Sequence, residues 1–150
     1  MVRRAVPLSA ARMDDALLLM REFYAEEALE YRDSRARGAL EGLLAEPARG
    51  GFHFLEADGR MAGYFVLTMG YSLEFGGRFA LLDEFYVRPE LRGAGLGTWA
   101  LERIAEEAAR RGAGALRLEV DRVNTRARTL YERSGFVAHE RDLMTKRLAR

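Results

Sequence analysis

Apolar residues change their period several times along the chain, and each change marks an element. Residues 2–8 alternate as a short strand does, and Ser9 or Asp14 is placed to cap the next element. From Asp14 onward Leu17, Met20, Phe23 and Tyr24 recur at helical spacing with polar residues between them, which predicts an amphipathic helix. Asp33 or Ser34 opens a second helix with Leu40, Leu43 and Leu44 as its stripe; Pro47 and the Gly50-Gly51 pair stop it. Residues 51–57 and 60–71, joined by Asp58-Gly59, predict a hairpin, because a D-G pair supplies the turn that antiparallel strands need. After Gly76-Gly77, a third strand over residues 78–87 ends at Arg88-Pro89, since proline has no N–H for a ladder. Residues 97–111 put Ala100, Leu101, Ile104 and Ala108 on one helical face, and Gly112 and Gly114 end that helix. Residues 115–121 alternate Leu116, Leu118 and Val120 against Arg117, Glu119 and Asp121, a strand with one apolar face. Asn124 or Thr125 caps a short helix carrying Ala127, Leu130 and Tyr131, Gly135 closes it, and residues 136–148 predict a final hairpin.

Strands and helices interleave without a repeat or a low-complexity linker, so the chain reads as a mixed α/β fold. Its 150 residues suit one domain, residues 1–150, able to bury roughly 68–70% of the unfolded surface. Composition narrows the chemistry further. Without cysteine there is no disulfide, thiolate metal site or cysteine nucleophile. His53 and His139 are too far apart in sequence to suggest a local ligand pair, and no metal is expected. A net charge of +1, with no Lys/Arg run longer than two residues, lacks the electrostatics of a dedicated nucleic-acid binder. No apolar run approaches the roughly 20 residues of a membrane span, and residues 1–11 lack a signal-peptide core, so a cytoplasmic location is expected.

The most informative stretch is Arg92-Gly93-Ala94-Gly95-Leu96-Gly97, wedged between a strand and a helix start. Glycines there let backbone N–H groups crowd around an anion, and the helix dipole adds to them, so the turn suits a phosphate-bearing ligand. A tight turn without a ligand is the plain alternative. The glycines miss the G-x-G-x-x-G dinucleotide spacing by one residue, and no P-loop lysine comes after them.

The spacing Arg92-x-x-Gly95-x-Gly97 resembles the acyl-CoA pyrophosphate loop of the GNAT superfamily of N-acetyltransferases. A second motif of that family, a strand running L-x-E-V followed by N-x-x-A-x-x-x-Y-x-x-x-G-F, appears here as Leu118-Glu119-Val120, Asn124, Ala127, Tyr131, Gly135 and Phe136, about thirty residues downstream. Tyr71-Ser72 and Asp83-Glu84-Phe85-Tyr86-Val87 are similar to the branch that acetylates diamines and polyamines. The resemblance implies a GNAT-like single domain, with a twisted, mostly antiparallel sheet splayed at the acyl-CoA site and flanked by helices. It also implies acetyl-CoA as acyl donor. Phe85, Tyr86 and Val87 would line the donor, with one of their N–H groups directed at the oxyanion. The amides of Arg92, Gly93, Ala94, Gly95, Leu96, Gly97 and Thr98 would hold the pyrophosphate.

By the same resemblance Tyr131 is the candidate general acid, a phenol able to donate to the departing thiolate; its plain alternative is an aromatic packing on a short helix. Asn124 is a cofactor contact, a helix cap, or both. The general base falls among Glu84, Glu119 and Asp83, taken in that order. Strand alternation puts Glu84 and Tyr86 on one face and Asp83, Phe85 and Val87 on the other. A base taking a proton from an ammonium needs a raised pKa or an amine that arrives neutral. The missing cysteine closes an acyl-cysteine route and favours direct transfer in a ternary complex.

The acceptor is expected opposite the donor, between the two N-terminal helices and the 69–77 region. Glu22, Glu26, Glu27 and Glu30 either attract a cationic amine there or form the solvated face of a helix. A small amine, amino acid or diamine is the preferred acceptor, with a protein N-terminus or lysine next. A non-catalytic acyl-CoA binder is the alternative class. Analogy with the family suggests a homodimer, through an exposed Trp99 or the C-terminal strand.

Overall fold

Alternation and turn chemistry bring the strands into one five-stranded sheet in the computed structural model, which describes residues 1–149. Strands β1 (Arg3–Pro7), β2 (Gly50–Ala57), β3 (Arg60–Ser72), β4 (Gly77–Val87) and β5 (Leu116–Leu118) lie in chain order across it. The first three pairings are antiparallel and β4–β5 is parallel. The β2–β3 hairpin turns at Asp58-Gly59, both with positive φ, as the D-G pair requires.

Helices α1 (Met13–Glu26) and α2 (Asp33–Ala45) cover one face of the sheet, and α3 (Leu96–Arg110) covers the other, joined by α4 (Thr125–Arg133). Under α1 and α2, Leu17, Leu19 and Leu40 meet Phe52, Phe54, Tyr64 and Tyr86. Under α3, Ala100, Leu101 and Ile104 meet Leu55, Phe65, Leu67 and Leu82. Each such fully buried large side chain contributes roughly 1.5–3 kcal/mol. His53 is a core residue of β2, stacked on Phe65 at 4.7 Å, and burial pushes its pKa down to about 4. None of the helices among the described residues is long and apolar enough to cross a membrane.

The β3–β4 register slips between Val66 and Leu67: Val66 faces Glu84 while Leu67 faces Leu82, so Asp83 is an extra, bulged residue. The bulge reverses the phase of β4. Leu82 packs toward α3, Glu84 and Tyr86 turn toward α1, and Phe85 and Val87 return to the α3 side. Close to this bend, a Cβ on Gly63 would fall on the Tyr86 carbonyl oxygen and 3.0 Å from the Val87 Cα. Backbone cannot move aside as a side chain does. Gly63→Ala is expected to cost about 3 kcal/mol, a Tm drop of roughly 6–12 °C at this chain length, measured by thermal unfolding.

The structure corrects three expectations. Residues 136–148 form no hairpin; no strand comes after β5 among the described residues, and Val137, Leu143, Met144 and Leu148 are exposed. The 139–142 segment between the two halves, His139-Glu140-Arg141-Asp142, has no glycine or asparagine to make the turn, and a lone hairpin is marginal without a third strand. The strand expected over residues 115–121 pairs only at Leu116–Leu118. Trp99 is not exposed: it is partly buried with Val87 and Leu91.

Candidate active site

The glycine turn has the geometry of an anion cradle. Gly93 and Gly95 adopt left-handed φ values of 86° and 80°, and Gly95 is the N-cap of α3. The first helical bond runs from the Trp99 N–H to the Gly95 carbonyl at 3.0 Å. Among the described residues the amides from Gly93 to Thr98 therefore have no backbone acceptor, which is the state of a helix start open to an anion. Leu96, fully buried beside Ala57 and Ala62, pins the helix start. From β1, Arg3 donates to the Ala94 carbonyl at 2.7 Å and ties down the crest of the turn.

Arg92 is turned away from the cradle. Its guanidinium donates to the Val87 carbonyl at 2.8 Å and pairs with Glu26 at 2.7 Å. Four residues before it, Arg88 makes two hydrogen bonds to Glu22, at 3.0 and 2.9 Å, and Tyr86 donates to the same carboxylate at 3.1 Å. The Arg88 guanidinium holds Glu22 below the usual carboxylate range. Glu22 and Glu26 are thus a clamp joining α1 to the end of β4, and not a solvated face or an amine trap. Their matched spacing, Glu22/Glu26 against Arg88/Arg92, was the available sequence signal.

Beyond the cradle the sheet opens. The parallel ladder of β4 and β5 ends at Leu82–Leu118, although β4 continues to Val87. In the gap lies a cleft of about 200 Å³ walled by Asp83, Glu84 and Phe85 on one side and Glu119, Asn124 and Tyr131 on the other. The loop is its neighbour through α4: Leu130 comes within 3.2 Å of where a Gly97 Cβ would be. Asn124 caps α4, its Oδ1 accepting from the Ala127 N–H at 3.2 Å, which leaves its amide nitrogen for the cleft. Tyr131 packs edge-on against Phe136 at 5.8 Å, and burial raises its phenol pKa. Its hydroxyl makes no hydrogen bond among the described residues. Of Phe85, Tyr86 and Val87 only Phe85 lines the cleft. Tyr86 lies under α1, its pKa pushed up to about 12 by burial and by Glu22, and Val87 packs toward α3.

A second cavity of about 210 Å³ opens on the α1–α2 side. Asp83 and Glu84 belong to the walls of both cavities, so the two meet at the β4 bulge. Tyr24 and Tyr64 both donate to the Glu84 carboxylate, Tyr64 at 2.8 Å. Burial nevertheless dominates and raises the Glu84 pKa, with the Asp83 charge adding to it against the two phenols. Asp83 reaches solvent at the bulge, yet desolvation raises its pKa too. Glu119 is exposed and makes no ion pair among the described residues. Sequence reasoning missed Tyr24 and Tyr64 as partners of Glu84; the face shared by Glu84, Val66 and Tyr64 depends on a bulge that no local pattern announces.

Residues 15–136 match the acetyltransferase (GNAT) family. The chain belongs to that family. Its members use acetyl-CoA as donor, and the protein is an N-acetyltransferase. The chain is 31% identical to the thialysine N-epsilon-acetyltransferase of Mus musculus over 134 residues, 81% of this chain and 76% of that one. It is 39% identical to the protein of the same name from Bos taurus over 75 residues, half of this chain, and that match spans less than half (44%) of the relative's length. Mycothiol acetyltransferase of Streptomyces coelicolor is 39% identical over 108 residues, 70% of this chain and 33% of that one. Among solved structures, an integron cassette protein from the Cole Harbour salt marsh metagenome superposes with a TM-score of 0.85 at 32% identity, covering 97% of this chain and 91% of its own. A predicted acetyltransferase from Clostridium acetobutylicum with acetyl-CoA has the same fold, with a TM-score of 0.80 at 16% identity over 97% and 96% of the two chains.

Proposed function

We propose that this acetyltransferase moves the acetyl group of acetyl-CoA directly to the primary amine of a small molecule, within a ternary complex. The observation that carries the reading is the meeting of two cavities at Asp83 and Glu84, which gives donor and acceptor separate entrances to one reaction point. The unsatisfied amides of Gly93 to Thr98 suit the donor's pyrophosphate, and the unpaired edge of β4 beyond Leu82 suits its amide-bearing arm. Bound acetyl-CoA supplies an activated thioester. An N–H on the open edge of β4, within residues 85–87, polarises the acyl oxygen. Glu84 takes the amine proton, its raised pKa bringing it closer to that task than an ordinary carboxylate. Tyr131 donates to the leaving sulfur. Asp83 and Glu119 border the same space, and either can pass the proton on through water. Relatives named for thialysine and mycothiol support a small-molecule acceptor.

Thermal unfolding with acetyl-CoA, NAD and ATP tests the donor site. At about 100 times its dissociation constant, a ligand bound only by the folded state stabilises by roughly 2.7 kcal/mol, or about 5–11 °C for a chain of this size. A shift with acetyl-CoA alone is expected, accompanied by amine-dependent thiol release. No shift, or a larger one with NAD or ATP, would remove the assignment of the glycine turn and the cleft to acetyl-CoA.

A further inference from the structure

Arg3 stands on the edge strand β1 opposite Ala57 of β2, and 91 residues before the crest of the glycine turn. Its Nη2 donates to the Ala94 carbonyl at 2.7 Å and lies 3.6 Å from where a Gly95 Cβ would be. Its Nε is buried without a partner, and no carboxylate pairs with the guanidinium among the described residues. The same strand pair is braced against the helix start, because Ala57 packs on Leu96. A fixed cation therefore stands behind the turn, and its hydrogen bond goes to one peptide of that turn.

That peptide is the one most free to rotate. Gly95, with φ 80° and ψ 4°, has the dihedrals of the third residue of a type II turn. The type I form differs by a half-rotation of the preceding peptide, here Ala94–Gly95, which sets φ near about −90°, and glycine takes either value readily. In a trans peptide the carbonyl and the N–H point in opposite directions, and no peptide is cis among the described residues. Holding the Ala94 carbonyl toward β1 turns the Gly95 N–H the other way. The opening between β4 and β5 lies on that other side, since β1 and β5 are the opposite edges of the sheet. Rotation would put a carbonyl where the N–H stands, facing an anion with the wrong sign.

Resting on the donor reading, we infer that Arg3 is a positioning residue for the donor's pyrophosphate: by engaging the Ala94 carbonyl it keeps the Gly95 N–H in the cradle, so acetyl-CoA meets a preformed site. The glycines of the turn permit both orientations of the peptide. The choice between them is made from β1.

Calorimetry with acetyl-CoA tests this without an acceptor. Arg3→Met keeps the apolar stem and removes the donor; its dissociation constant is expected to rise about tenfold or more, the range of a hydrogen bond from a charged group. Arg3→Lys, which can still donate, should recover part of that loss. A Cβ at Gly95 has room, so the penalty of Gly95→Ala falls on the left-handed φ and should weaken binding by itself. Because both substitutions act through the Ala94–Gly95 peptide, the double variant should bind about as the weaker single variant does, whereas independent losses would add. Arg3 is half-buried on an edge strand, so its variants are expected to fold. The ligand-free Tm checks this, and Arg3→Gln takes the place of Arg3→Met if that does not fold. An unchanged dissociation constant in Arg3→Met, no recovery in Arg3→Lys, or losses that add in the double variant overturns the inference and leaves the donor site standing. No binding of acetyl-CoA by the wild-type protein overturns both.

Discussion

Glu84→Gln is expected to lower kcat by about 10²-fold or more, the range that a positioned general base contributes, and to make the protein more stable at neutral pH. The two effects have one cause. Glu84 is largely enclosed by α1, β3 and β4, and burial disfavours its charged form more than the Tyr24 and Tyr64 hydroxyls favour it. A carboxylate held above its ordinary pKa is a better base, and the fold holds it there at a cost in stability. Glutamine keeps the shape and can still accept from one phenol, but carries no charge to desolvate. Steady-state kinetics and thermal unfolding of the same variant separate this from simple misfolding, which would lower activity and Tm together.

Stability and turnover should both depend on pH through this carboxylate. Since the folded pKa of Glu84 lies above its unfolded value, the native state binds more protons between the two, and stability falls as pH rises through that window. The stability advantage of Glu84→Gln should therefore be small in acid, grow through the window and level off above it. Turnover of the wild-type protein should rise over an acid limb placed above the ordinary glutamate value of 4.5, and that limb should vanish in the variant. A wild-type limb at the ordinary value, or one that survives the substitution, would move the base to Asp83 or Glu119.

Much of the donor side was legible because it is local. A helix start with glycines on left-handed φ is built from consecutive residues, and Arg92 to Thr98 announce it without help from the rest of the chain. The short α4 with Asn124 as cap and Tyr131 on its inner face is local in the same way. The acceptor side was not. Asp83 becomes an extra residue only when β4 is laid against β3, and the resulting inversion of faces decides which carboxylate meets two tyrosines. Likewise the role of Glu22 and Glu26 depends on the approach of α1 to the end of β4, 66 residues away in sequence. Apolar alternation alone misplaced residues 136–148, where no turn residue and no longer β5 ladder supports a hairpin.

Tyr131→Phe is expected to reduce kcat by a factor of the same order, about 10² or more, while leaving the affinity for acetyl-CoA nearly unchanged. The other tyrosines are engaged elsewhere. Of six tyrosines, Tyr24 and Tyr64 donate to Glu84, Tyr86 donates to Glu22, and Tyr31 donates to Asp33. Tyr71 is 75% exposed at the far end of β3. Tyr131 alone combines a place in the cleft with a hydroxyl proton not already given to a neighbour. Burial raises its pKa, with the Glu27 charge adding to the effect, so the phenol stays protonated at working pH. It is then a weaker acid than a thiol, whose pKa is near 8.5, and full transfer to sulfur is uphill. Its contribution is accordingly a hydrogen bond that strengthens as charge develops on the departing sulfur. Phenylalanine keeps the edge-on contact with Phe136 and removes only that donor, so Tm should hold. Turnover unchanged in Tyr131→Phe would end the general-acid assignment, whereas a matching loss of acetyl-CoA binding by calorimetry would make Tyr131 a wall of the donor cleft and nothing more.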